Sequence, residues 1–145
     1  MSPRLVGINH VALEVRDLEE ALRFWRSLFE LSVTREPEYQ MAFIDLGDQF
    51  IALSEGRSAG PDADRHFGLV VDDKEAVRNR LRELGVDVSS GRHLDFRDPS
   101  GNLIQVVEYG QIQFTKGDAV LRGMHLGDLS KTPQAEAELA GKGLI

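Results

Sequence analysis

The chain has 145 residues, of which 41% are hydrophobic and 28% charged, proportions typical of one soluble globular domain large enough to bury a core. Its 24 acidic and 17 basic residues give a net charge of −7 with no basic stripe, which argues against nucleic acid and anionic membranes as partners. Cysteine is absent, which excludes disulfides and thiolate chemistry. Because we find neither a run of membrane-spanning length nor a signal-peptide pattern, we expect a cytoplasmic protein.

Residues 8–17 have the alternating pattern of a strand that ends at an acidic helix cap. One face carries an apolar row made of Val11, Leu13 and Val15. The opposite face carries His10, Ala12 and Glu14. A histidine therefore opens this strand on the face that we expect to point away from the core.

A helix should follow, since Asp17 and Glu20 form an Asp-x-x-Glu start signal. Apolar residues then recur at helical spacing, which predicts one face covering a sheet with Trp25 in its core. Residues 31–34, 41–46 and 50–54 follow as shorter strands, with a hairpin turn at Gly47. Residues 8–54 thus form a strand–helix–three-strand module.

A second copy of this order begins at Arg65, after a Gly- and Pro-containing linker at residues 55–64. His66 opens its first strand as His10 opens the first module. A helix over residues 74–84 should end at Gly85. Strands are predicted at residues 86–88, 93–97 and 103–109, with the last two joined by a type I turn over residues 98–101.

The pattern changes after residue 109. Residues 110–145 are predicted to form a C-terminal arm, with a short helix that starts at Thr132-Pro133 and ends near residue 140. We therefore expect one domain over residues 1–109, built of modules 8–54 and 65–109, and a separate arm.

Three motifs identify a family resemblance: His-Val-Ala-Leu-Glu-Val from His10, His-Phe-Gly-Leu-Val-Val-Asp-Asp from His66, and Asp-Pro-Ser-Gly-Asn-Leu-Ile from Asp98. With the paired modules, they resemble the vicinal oxygen chelate superfamily of glyoxalases, bleomycin resistance proteins and extradiol dioxygenases. The resemblance implies an α+β fold in which two βαβββ modules form an eight-stranded open cup. It also implies a homodimer, in which the arm is expected to clasp the partner.

In that superfamily the metal ligands come from the first and last strand of each module. Carried over position by position, the resemblance implies that the first-strand ligands are His10 and His66. Ala52 stands where glyoxalases place a glutamate in module one. In module two the superfamily places its glutamate four residues after the turn glycine, and here that position is occupied by Gln105. Glu108, three residues later, points to the opposite face of its strand, so we do not assign it as a ligand.

The resemblance therefore implies a divalent metal ion, Fe, Mn, Ni or Zn, held by His10, His66 and Gln105. Such a site leaves open positions for a chelating substrate and can polarise its carbonyl group. An amide ligand brings no negative charge, so the affinity for metal should be lower than with a carboxylate. The alternative is that the two histidines are the polar lining of a metal-free binding cup.

Three further residues are candidates for catalysis. His93 and Asp95 alternate on the strand that should pair with Gln105, so both can face the cup. His93 could act as the base, the usual role of histidine near neutral pH, and Asp95 could orient it or bind substrate. The alternative is a solvent-facing pair near a turn. Glu14 is either a general base or part of a salt bridge at the rim.

Substrate-binding candidates lie around the same face. Tyr109 shares the face of Gln105 and, with the Ala52 position, is expected to line the cup. Arg92 and Arg97 either hold an anionic substrate or are simply solvated.

The leading hypothesis is a metal-dependent enzyme acting on a small oxygen-rich substrate, as an isomerase, epimerase, lyase or ring-cleaving dioxygenase. The alternative is a metal-free protein that sequesters a small molecule, as bleomycin resistance proteins do. Fosfomycin transfer is disfavoured, since Phe114 stands where the resemblance would want an arginine.

Overall fold

Two modules and a C-terminal arm make up the chain in the computed structural model, which describes residues 2–88 and 93–145. The first module contains β1 (His10–Val15), α1 (Leu18–Leu28), β2 (Val33–Glu36), β3 (Met41–Asp45) and β4 (Phe50–Glu55). The second contains β5 (His66–Val71), α2 (Lys74–Glu83), β6 (Leu94–Arg97) and β7 (Leu103–Glu108). The arm carries α3 (Asp118–Gly123) and α4 (Pro133–Gly141). The predicted α+β class and the paired modules are confirmed.

Both module helices begin at an aspartate. The Asp17 side chain accepts the backbone N–H of Glu20 at 2.8 Å, and the Asp73 side chain accepts that of Ala76 at 2.9 Å. These bonds satisfy donors that the first helical turn leaves without partners. The positions at which α1 and α2 begin thus follow from the aspartates that precede them.

Each module forms its own sheet with a parallel pair at one side. The strand order is β1-β4-β3-β2 in the first sheet and β5-β7-β6 in the second. β1 runs parallel to β4 with His10 beside Phe50, and β5 runs parallel to β7 with His66 beside Leu103. The two histidines therefore occupy equivalent places in the two sheets.

One hydrophobic core is shared by the two modules. Trp25 on α1, which is 1% exposed, and Phe96 on β6 belong to the same cluster of buried side chains. Leu13 and Val15 from the predicted apolar row of β1 are also in this cluster, and Val11 packs against it. The sheet faces that carry His10 and His66 lie on the other side, away from the core.

A buried polar network joins the linker to the second module. Arg57 donates to the Asn102 Oδ1 atom at 2.6 Å and to the Gly60 carbonyl at 2.7 Å. The Asn102 side chain in turn donates to the Glu14 carbonyl at 2.9 Å. These bonds fix the turn before β7 against β1.

The predicted turn over residues 98–101 packs directly on the linker. Gly101 has a φ of +91°, and a Cβ there would lie 2.7 Å from the Pro61 Cα atom. Only glycine meets both conditions, since a side chain at positive φ is strained and this one would collide with backbone. Burial raises the pKa of Asp98 in the same turn, whose carboxylate accepts the backbone N–H groups of Ser100 and Asn102.

The described residues form seven strands rather than the predicted eight. No strand forms at residues 86–88, because the Val86 N–H donates to the Leu81 carbonyl at 2.9 Å and closes the end of α2. Val86 and Val88 instead pack their side chains against the core. The strand predicted at residues 93–97 begins at Leu94, and residues 89–92 lie outside the described residues. Gly85, with a φ of +70°, follows the helix as predicted.

The arm docks on the body of its own chain. The Lys131 ammonium donates to the carbonyls of Tyr109, Ile112 and Phe114, and Lys116 forms an ion pair with Asp48. α4 is confirmed, capped by Thr132, whereas α3 was not predicted. In the described part of the chain, no helix is long and apolar enough to cross a membrane.

Candidate functional site

The two first-strand histidines are held alike. His10 and His66 are both exposed at the starts of their strands. The His66 Nδ1 atom lies 2.7 Å from the Asp64 carbonyl oxygen, and the His10 Nδ1 atom lies 2.9 Å from the Asn9 Oδ1 atom. The Asp64 carbonyl oxygen can only accept, so the Nδ1 atom of His66 donates to it, and the His10 Nδ1 atom donates to Asn9 Oδ1 in the tautomer that is protonated at Nδ1. The Nε2 lone pair of each histidine is then available to a metal, as in histidine ligands whose other nitrogen donates to a protein oxygen.

His10 has an additional support in its own sheet. Its ring stacks on Phe50 with the centroids 4.6 Å apart and the planes 6° from parallel. The stacking follows from the β1–β4 register, which sets these residues side by side. His10 is thus fixed by one hydrogen bond and one aromatic neighbour.

Gln105 lies on the same sheet face as His66. The β5–β7 register sets Gln105 beside Gly68, two residues after His66, and the β6–β7 register sets it opposite Asp95. A Cβ added at Gly68 would meet no atom within 4 Å, so the space between the histidine and the amide is open. The family resemblance predicted that His66 and Gln105 lie together, and the strand register agrees with that prediction.

An open groove of about 840 Å³ runs over this face. His66, Asp95, Arg97 and Gln105 are part of its lining, with Val86 and Val88 as apolar wall. A second groove of about 250 Å³ lies where the modules meet and is lined by residues that include Ala12, Glu14 and His66. His66 thus belongs to both grooves.

His10 lines neither of these grooves. Within residues 2–88 and 93–145, no group of three or more histidine and carboxylate side chains could hold a metal ion. Within one chain, His10 therefore shares neither of these grooves with His66.

The other candidates in the second module differ in their surroundings. His93 is exposed and immediately precedes β6. The Asp95 Oδ1 atom is buried and has no hydrogen-bond partner among the described residues. Arg97 donates to the Asp62 carbonyl at 2.8 Å, and Arg92 lies outside the described residues.

Tyr109 and Ala52 are both buried and line neither groove. The arm covers Tyr109, since the Lys131 Nζ atom sits 3.5 Å from its ring centroid and its hydroxyl contacts the Thr115 Oγ1 atom at 3.2 Å. Ala52 lies outside the shared core, beside Ala12 in register. Neither groove therefore places Tyr109 or Ala52 in contact with a substrate.

Glu14 is exposed in the second groove, and its carboxylate forms no ion pair within the described residues. Three residues that orient the histidines were not predicted from the sequence: Asn9, Phe50 and Asp64. For Asn9 the available signal was a polar side chain next to a histidine, whereas Asp64 contributes only its backbone carbonyl, which any residue type would supply. The Phe50 stacking depends on strand register and had no local signal.

A family profile and curated relatives both match most of this chain. The profile of the Glyoxalase/Bleomycin resistance protein/Dioxygenase superfamily matches residues 7–106. The chain is 30% identical to glutathione transferase FosA of Serratia marcescens over 115 residues, which cover 70% of this chain and 80% of the relative. It is 27% identical to metallothiol transferase FosB of Shouchella clausii, covering 69% and 78%.

Two solved structures show the same fold. Lactoylglutathione lyase from Agrobacterium tumefaciens superposes with a TM-score of 0.59 and 26% identity, covering 74% of this chain and 96% of that one. A mutant of fosfomycin resistance protein FosX from Listeria monocytogenes, crystallised with Mn(II) and 1S,2S-dihydroxypropylphosphonic acid, gives a TM-score of 0.62 at 20% identity, covering 71% and 90%.

Proposed function

Since this chain belongs to the Glyoxalase/Bleomycin resistance protein/Dioxygenase superfamily, as its motifs predicted, we propose that it is a metal-dependent enzyme. Its substrate is a small oxygen-rich molecule, and its reaction is that of an isomerase, epimerase, lyase or ring-cleaving dioxygenase. A cytoplasmic location is part of this proposal. So is the division into a domain over residues 1–109 and an arm over residues 110–145.

The observation that carries the proposal is the orientation of the histidines. His66 donates from Nδ1 to the Asp64 carbonyl at 2.7 Å, which leaves Nε2 as a metal donor beside Gln105. His10 is oriented in the same way by Asn9. These three residues fit a divalent cation such as Fe, Mn, Ni or Zn, which when bound would polarise a substrate oxygen as a Lewis acid. The related FosX mutant was crystallised with Mn(II), which is in line with this choice.

The remaining residues of the large groove would position the substrate. Val86 and Val88 form an apolar part of its wall. Arg97 is the candidate for contacting an anionic group, and His93, which precedes β6 but does not line this groove, is the candidate for moving a proton. The Arg97 guanidinium already donates to the Asp62 carbonyl, which fixes its direction.

We propose that a homodimer completes the site. His10 and His66 occupy equivalent open faces of two sheets, but His10 does not line the groove that His66 and Gln105 share. In the proposed dimer, His10 of one copy joins His66 and Gln105 of the other. Mixing His10→Ala with His66→Ala subunits tests this, because one of the two shared sites in a mixed dimer keeps all its ligands. If the mixture binds no metal when neither variant does alone, the shared site is excluded.

Calorimetry with Mn²⁺ and Zn²⁺ on metal-stripped protein is the primary test of metal dependence. We expect wild-type protein to bind and His66→Ala to lose binding. His125→Asn is the control, since His125 is an exposed histidine of the arm with a φ of +61°, a conformation that asparagine tolerates. Turnover is then assayed with the metal-loaded protein, and fosfomycin with and without glutathione is included because one relative is a fosfomycin resistance protein and another a glutathione transferase.

The second candidate is a metal-free protein that sequesters a small molecule. It is favoured by the lack of a group of three histidine and carboxylate side chains within residues 2–88 and 93–145. Wild-type protein that binds no divalent metal, as a dimer, would support this candidate and exclude the enzyme.

A further inference from the structure

The position of Asp95 suggests a donor beyond the set of His10, His66 and Gln105. That set contains two imidazoles and an amide, so it offers a divalent cation no negative charge. Carboxylates bind such cations more strongly because charge is added to the first shell. A nearby carboxylate without a partner would therefore have a large effect on this site.

Asp95 lies directly opposite Gln105 in the antiparallel β6–β7 pair. Side chains of directly opposed residues share one sheet face, with their Cβ atoms about 4.5–5.5 Å apart. Both residues line the large groove, and so does His66. An ion bound by the Gln105 amide would therefore lie on the face that carries the Asp95 carboxylate on β6 and the His66 imidazole on β5.

One oxygen of the Asp95 carboxylate lacks a hydrogen-bond partner among the described residues. Its Oδ1 atom is buried and accepts no hydrogen bond from the described residues. Buried carboxylate oxygens are normally paired, since burial removes the water that would solvate them. Arg97, the nearest cation along β6, instead directs its guanidinium to the Asp62 carbonyl. The other charged residues of the groove, Asp64 and Asp87, have the same sign as Asp95.

We infer that Asp95 is a metal ligand that supplies, from β6, the negative charge that Gln105 does not supply from β7. The inference rests on the proposed function. It assigns the site the donors His10, His66, Gln105 and Asp95. A carboxylate on the neighbouring strand replaces the missing carboxylate at nearly the same place, and the buried Oδ1 atom acquires its partner when the cation binds.

Mn²⁺ titration of the metal-stripped full chain tests the inference, with Asp95→Asn as the main variant. We expect the Kd to rise at least about 10-fold, the lower end of the effect of losing even an outer-shell partner. Asp87→Asn is the matched control, because it removes the same charge from an exposed position in the same groove. Its effect should stay within about 2-fold, since exposed charges are screened.

The double variant Asp95→Asn/Gln105→Glu tests the exchange of charge between strands. It should bind Mn²⁺ more tightly than Asp95→Asn alone, because the carboxylate returns on β7. The rise in unfolding temperature on adding Mn²⁺ gives a second readout, since a ligand of the folded state stabilises it. This rise should shrink in Asp95→Asn and persist in Asp87→Asn.

If His66→Ala loses Mn²⁺ binding while Asp95→Asn keeps the wild-type Kd, the enzyme proposal stands and Asp95 is not a ligand. Equal weakening by Asp95→Asn and Asp87→Asn would also overturn the assignment, leaving only a general field effect. If wild-type protein binds no Mn²⁺, both proposals fall together.

Discussion

Glu108 accepts the backbone N–H of Lys74 at 3.2 Å and so closes the first turn of α2. Glu55 does the same at the equivalent end of β4, where it accepts the N–H of Leu18 at 2.8 Å. A carboxylate at a helix N-terminus is stabilised by the unpaired N–H groups and the helix dipole. Glu108 is therefore engaged on the helix side of its strand, opposite the face of Gln105. This position agrees with the prediction that Glu108 is not a metal ligand.

Replacing Glu108 by glutamine should affect stability rather than metal binding. The neutral amide loses a charge-assisted hydrogen bond to the helix, so we expect the free energy of unfolding to fall by roughly 0.5–1.5 kcal/mol. Chemical denaturation measures this loss, with Glu55→Gln as the matched variant in module one. Calorimetry should show an unchanged Kd for Mn²⁺. Abolished binding in Glu108→Gln would instead make Glu108 the ligand.

Trp25 should be the most costly single truncation in α1. Its side chain is 1% exposed in the shared core, so Trp25→Ala should reduce the free energy of unfolding by roughly 3–5 kcal/mol through lost burial and a cavity. Urea denaturation tests this. Ala12→Val is the contrast, because Ala12 is exposed on the groove side and its enlargement should weaken ligand binding more than folding. A barely changed stability in Trp25→Ala would contradict the packing of α1 on the shared core.

Acidification should loosen the arm through Asp48. The hydrogen bond from Lys116 lowers the pKa of Asp48 from its usual 3.8. A lowered folded-state pKa means that the ionised carboxylate stabilises the fold above about pH 3.8, and that this contribution is lost as pH falls through the lower folded value. The gain should not exceed about 1 kcal/mol, since the Asp48 side chain is 53% exposed.

Unfolding of wild-type protein and Asp48→Asn at several pH values between 3 and 7 checks this. The difference in stability should be largest near neutral pH and shrink toward pH 3. Asp128→Asn serves as control, because Asp128 is exposed in the arm and forms no ion pair within the described residues. A difference that grew on acidification would contradict the assigned role of the Asp48–Lys116 pair.

Light scattering at micromolar concentration should give the mass of a homodimer. The exposed apolar residues Leu5, Val6 and Ile8 before β1 favour association, since such groups are usually covered. Deletion of residues 110–145 should lower stability, because it removes the Lys131 contacts above Tyr109. If the truncated chain keeps the dimer mass, the arm does not clasp the partner, whereas a monomer mass for the intact chain would exclude the dimer.

Local signals were sufficient for most of the fold. Strand alternation in β1 and β5, the aspartate cap of α1, and the turn glycine Gly101 each act over a few residues, so sequence alone predicted them. Residues 86–88 were assigned wrongly as a strand. Their two valines give the same sequence pattern in a hydrogen-bonded strand as in a loop that packs against the core. α3 was missed because its few apolar residues, of which Leu121 is buried, give too weak a period.

The sequence by itself determined the family and the two modules, because these follow from motifs and spacing, and the family resemblance implied the candidate ligands His10, His66 and Gln105. Tertiary structure decided what surrounds each one. Strand register set Asp95 opposite Gln105 and Phe50 beside His10, and the fold turned Glu108 toward α2 and Tyr109 beneath the arm. Such relationships join residues that are distant in the chain, and their free energy comes from hydrogen bonds and burial that exist only once the chain has folded.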